Sequence, residues 1–148
     1  MKKLYMCLVT FMGMALFCLV TISPLLAGVY DGSKPLYCAL MDTVQCVPGG
    51  ECQEVEAEEV NLPDFIVINT KKKIITTTKE GGNKRTSKIQ NKELIDGKLI
   101  VQGAEDGAEG VQDGLGWSIA INESTGKMVL TGSGDAVGFV FFGACTPQ

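Results

Sequence analysis

The sequence predicts an all-β domain: an antiparallel up-and-down meander of about eight strands that closes into a small barrel, preceded by an N-terminal signal helix. Three observations carry this. Apolar residues recur with period two along most of the chain after residue 35, and no stretch there keeps a helical period. Short turns separate these runs, whereas parallel strands need crossovers of about a dozen residues or more, and only two linkers are that long. Cys38 lies in the first run and Cys145 in the last, so a bond between them joins the two ends of the meander. A two-sheet β-sandwich is the other arrangement that fits.

Residues 1–27 read as an export signal. Lys2 and Lys3 form a short positive region, an uncharged apolar run extends from Leu4 to about Val20, and Pro24 breaks the helix ahead of Ala27, a small residue suited to the cleavage position. The apolar run is also long enough, at roughly 20 residues, to cross a bilayer. A cleaved periplasmic or secreted protein and one anchored in the inner membrane by an uncleaved helix are therefore both open. Cys18 follows bulky Phe17, where a lipoprotein signal needs a small residue, so Cys7 and Cys18 are expected to leave with the signal. Residues 28–148 then form a single β-barrel domain, a size that supports one hydrophobic core.

The strands follow in order. Leu36 to Cys46 alternates, with Leu36, Cys38, Leu40, Val44 and Cys46 on one face. The acidic link Glu51 to Glu59 fits a short strand or a turn of helix. Phe65 to Thr70 and Ile74 to Thr78 are β-rich runs joined by Lys71-Lys72-Lys73, read as a solvated hairpin turn. Thr86 to Ile95 is interrupted by Asn91 and Lys92, and Asp96-Gly97 is a two-residue hairpin signal leading into Lys98 to Gln102. Gly103 to Gly114 is rich in glycine and carboxylates but lacks the ligand spacing of a calcium loop, so it reads as a flexible acidic loop. Trp117 to Ile121 and Met128 to Thr131 flank a turn at Asn122-Glu123-Ser124, which also matches a glycosylation sequon. Gly134-Asp135-Ala136 leads into the last strand, Val137 to Cys145.

With the signal removed, four cysteines remain, an even number suited to a disulfide-stapled exported domain. Cys46 and Cys52 flank a Pro-Gly turn and are expected to pair, which leaves Cys38 for Cys145. A zinc site is disfavoured by the absence of histidine and by the C-x5-C spacing. No metal and no cofactor are expected.

The composition excludes several functions. Losing Lys2 and Lys3 leaves 11 of 13 basic residues against 17 acidic ones, a net charge of −6 in place of −4. Such an acidic surface has no footprint for nucleic acid or for anionic membranes. No histidine is present, which removes His-based nucleophilic and acid–base machinery, and no nucleotide-loop or nucleophile-elbow motif occurs. The chain is not expected to be an enzyme.

An eight-stranded interior is filled by side chains or holds one small ligand. The inward sets are apolar: Trp117, Ile119 and Ile121; Met128 and Leu130; Leu99 and Val101; Phe139 and Phe141. Core packing is the plain role for these residues. If space remains among them, the ligand is a small apolar molecule, with Trp117, Phe139 and Phe141 as candidate contacts and a backbone carbonyl the expected partner of the indole N–H. Asp42 shares the face of Leu40 and Val44; either it meets a polar ligand there or a bulge turns it outward. Val140 and Phe142 leave the outer face of the last strand apolar. Residues Gly28 to Pro35 or the acidic link cover them, or a second copy does, as a homodimer.

Cys38, the Cys46 and Cys52 pair, and the closing Phe142-Gly143-Ala144-Cys145 resemble a group of short exported, four-cysteine β proteins of Gram-negative bacteria with no assigned function, and Gly116-Trp117-Ser118 and Thr125-Gly126-Lys127 extend the likeness. The resemblance implies an exported, disulfide-stapled protein and carries over no functional residue. The architecture is similar to small lipocalin-like barrels. In size and disulfide use the chain is also similar to the periplasmic lysozyme-inhibitor barrels, with Thr131-Gly132-Ser133-Gly134 in the place of their Ser/Gly-rich loop. The basic residue and paired tryptophans of that family are absent here.

Overall fold

The computed structural model describes residues 29–60, 63–78, 85–106 and 114–148. The expected signal at 1–27 lies outside the described residues, as does 107–113 of the acidic segment. The strands are β1 (Leu36–Cys46), β2 (Gln53–Val55), β3 (Phe65–Asn69), β4 (Ile74–Thr77), β5 (Thr86–Ile95), β6 (Lys98–Glu105), β7 (Leu115–Asn122), β8 (Lys127–Ser133) and β9 (Gly138–Pro147). All pairings are antiparallel, and β1 pairs with β9 to close an eight-stranded barrel with β2 as an added strand. The acidic link supplies both forms expected of it, β2 and then a single 3-10 turn at Ala57–Val60.

The turns follow from residue chemistry. Asp96 and Gly97 both take positive φ, 48° and 68°, the pair of left-handed residues that a tight hairpin between right-twisted strands requires. Asn122 Oδ1 accepts hydrogen bonds from the backbone N–H of Ser124 and Thr125, each at 3.0 Å, so the sequon is a side-chain-stapled hairpin turn. Lys71, Lys72 and Lys73 are exposed in the β3–β4 turn as expected.

Both disulfides form as the sequence predicts, Cys38–Cys145 and Cys46–Cys52. Cys38 and Cys145 face each other across the closing seam between β1 and β9. Two disulfides mark an oxidising, non-cytoplasmic compartment. Among the described residues no helix is long and apolar enough to cross a membrane.

The core follows the expected alternation over most strands. Leu99, Val101, Ile119, Ile121, Met128 and Phe141 are buried inside, along with Leu36, Cys38 and Ile68. The exception lies in β1. Its register against β9 slips between Leu40 and Asp42, so Met41 and Asp42 both face outward. Beyond this bulge the inward residue is Thr43, 4% exposed, and Val44, expected inward, is only half-buried. An inserted residue inverts every later side chain, and here it spares the carboxylate of Asp42 from burial. At the same place β1 changes partner: Leu36–Ala39 pair with β3, and Thr43–Gln45 with β2.

Residues 29–35 do not cover Val140 and Phe142. They cross the barrel end formed by the β3–β4, β5–β6 and β7–β8 turns. Thr70 donates its hydroxyl to the Gly32 carbonyl, and a Cβ on Gly32 would press on Leu99 and Thr70. The Tyr30 ring packs on Gly126, where a Cβ would stand 2.5 Å from it. Asp31 caps the bend by accepting the Ser33 N–H at 2.7 Å, and hydrogen bonds from Ser33 hold its carboxyl below the usual range. On the outer wall Phe142 stays 44% exposed beside Val129 and Met41, while Val140 is half-buried.

Candidate functional site

The end opposite the 29–35 segment carries the site. β6 and β7 run further toward it than composition predicts, to Glu105 and from Leu115, because Gly103 and Ala104 continue the ladder opposite Trp117 and Gly116. Gly103 is required there. A Cβ at this position would sit 2.3 Å from both the Lys88 carbonyl oxygen and the Trp117 indole. The bare backbone lets the indole lie flat across β6 toward β5.

That placement brings the indole N–H of Trp117 to Ser87 Oγ at 2.8 Å, a buried bond. The Ser87 hydroxyl in turn lies 3.5 Å from the Ala104 carbonyl, to which it donates. The partner of Trp117 is thus a side-chain hydroxyl and not the expected backbone carbonyl. Ser87 is one of two buried polar residues in the barrel, the other being Thr43, among the described residues. A polar residue can be kept in such a place when its bonds are satisfied.

Trp117, Phe139, Phe141 and Leu130 share a cavity of ≈130 Å³ with Ile66 and Ile75 from the other side of the barrel. The rings of Phe139 and Phe141 stack with centroids 6.0 Å apart. Val60 and Pro63, which follow β2, pack at its edge. The rim is polar, with Thr77, Arg85 and Glu105 around the mouth. The Arg85 backbone is fixed by its N–H donating to Thr77 Oγ1 at 2.9 Å and by its carbonyl accepting the Thr77 N–H at 3.1 Å.

Three of the four expected contacts, Trp117, Phe139 and Phe141, therefore come together at one mouth. Asp42 does not join them. It sits on the outside of the barrel, on the border of a shallow groove of ≈570 Å³ with Met41, Val129 and Phe142. Sequence reasoning missed Ile66, Ser87, Arg85 and Glu105. A signal for Ser87 and Glu105 existed: Ser87 shares the inward face of Ile89, and Glu105 continues the alternation of Leu99, Val101 and Gly103.

Among the described residues, no group of His, Cys, Asp or Glu is arranged to hold a metal ion. Comparison of the chain with protein-family models, with curated proteins and with solved structures found no match.

Proposed function

We propose that the protein is an exported, lipocalin-like binding module that takes a small apolar ligand in the open end of its barrel. The observation that supports this best is the ≈130 Å³ of space left between Trp117, Phe139 and Phe141 at one end of the core. An apolar cavity of about 150 Å³ is enough to hold benzene, whereas drug-sized ligands need about 300 Å³ or more. The occupant is thus one small ring or one short branched alkyl group. Its residence is periplasmic or secreted after removal of residues 1–27, and its role is not catalytic.

Titrating the oxidised protein with toluene tests the reading, because Trp117 is the sole tryptophan and lines the cavity. A saturable change in its emission is expected. An unchanged spectrum up to the solubility limit of toluene overturns the proposal.

A second reading uses the outer wall. Met41, 70% exposed, Val129 and Phe142 form an apolar strip beside the ≈570 Å³ groove, which supports a contact between two copies of the chain through β9, with Phe142 and Val140 at its centre. Sedimentation equilibrium at tens of micromolar decides it: a dimer that Phe142→Ser abolishes is expected, and a monomer throughout removes the reading.

A further inference from the structure

The rim of the cavity carries opposite charges. Arg85 stands immediately before β5, and Glu105 ends β6, the strand paired with β5. Arg85, exposed, lies two residues before buried Ser87, Glu105, half-buried, continues the alternation of Val101 and Gly103, and both line the cavity. Among the described residues neither makes an ion pair, with the other or with a third group; the one ion pair there, Lys98–Asp96, lies at the far end. An apolar pocket bordered by a separate cation and anion fits a molecule with one apolar group and both charges at its head.

We infer that the ligand is a zwitterionic α-amino acid with an apolar side chain, of the size of leucine or phenylalanine. This rests on the reading of the cavity as a ligand site and deepens it. The side chain enters among Trp117, Phe139 and Phe141. The α-carboxylate meets the Arg85 guanidinium, whose planar fork matches a carboxylate, and the α-ammonium donates to Glu105. The cavity volume sets the side-chain limit at about one ring. Selectivity for the zwitterion arises because a ligand with one charge leaves either Arg85 or Glu105 without a counterpart at the mouth.

The test is calorimetric titration of the full oxidised chain, with Trp117 emission in parallel, using four compounds that share one branched alkyl group: L-leucine, 4-methylpentanoate, 3-methylbutylamine and 3-methylbutan-1-ol. Leucine is expected to bind at least about tenfold more tightly than either singly charged analogue, as for a charge-assisted hydrogen bond lost. Arg85→Gln and Glu105→Gln are each expected to weaken leucine by about tenfold and to leave the alcohol unchanged. The inference is overturned, with the cavity reading intact, if the alcohol binds and either analogue matches leucine, or if both variants keep full leucine affinity. Failure of all four compounds to bind overturns the inference and the cavity reading together.

Discussion

Replacing Cys38 and Cys145 together with alanine is expected to lower the free energy of unfolding by about 4 to 5 kcal/mol, whereas the same change at Cys46 and Cys52 costs about 2 kcal/mol. The difference lies in the unfolded chain. The first bond spans a sequence separation of 107 residues and the second only 6, and the entropy a cross-link removes from the unfolded ensemble grows with the loop it closes. The first bond also sits in the core, Cys38 fully buried and Cys145 at 7% exposure, so its removal deletes packed sulfur as well. Urea denaturation of the two oxidised double variants against the parent measures both losses. Equal losses would show that loop closure does not govern them.

Phe141→Ala is the second large effect, with an expected cost of about 3 to 5 kcal/mol, against less than about 1 kcal/mol for Phe142→Ala. The two residues are adjacent in sequence and opposite in surroundings. Phe141 is 1% exposed, its Cα opposite those of Thr43 in β1 and Leu130 in β8, whereas Phe142 is 44% exposed on the outer wall. Truncating Phe141 removes the whole of a ring that already borders empty space, and a closed, cross-linked barrel has little freedom to collapse onto it. The same variant enlarges the cavity that Phe141 lines. Matched denaturation midpoints for the two variants would contradict the inward alternation of β9.

How far the fold was legible in the sequence depends on what each element needs. Period-two patterning with Asp96-Gly97, Lys71-Lys72-Lys73 and Asn122-Glu123-Ser124 as turns is local information, and those strands appear where expected. The cysteines supplied the long-range fact that the first and last strands meet. What stayed hidden needs a partner strand to become visible. The bulge at Met41 depends on how β1 docks on β9, and it moves Asp42 out and Thr43 in. Gly103 and Ala104 have loop composition, yet they form strand because the Trp117 indole occupies the space a side chain would take. The candidate site shows the same division. Its aromatic floor comes from β7 and β9, both legible as strands in the sequence, while Arg85 lies just before β5, bonded through its backbone to Thr77, and Glu105 lies in an extension of β6 whose composition reads as loop.

The two ends of the chain bear on how this barrel presents itself. Pro35 accepts the Gln148 N–H at 2.9 Å, so the first and last described segments leave side by side from the pole that Tyr30 and Gly32 close. The mouth bordered by Arg85 and Glu105 is at the other pole. Val29 and Gln148, the first and last described residues, therefore both lie at the base of the barrel, as the stem of a cup lies opposite its opening. A label or surface attached directly at Gln148 is thus expected to leave the mouth uncovered.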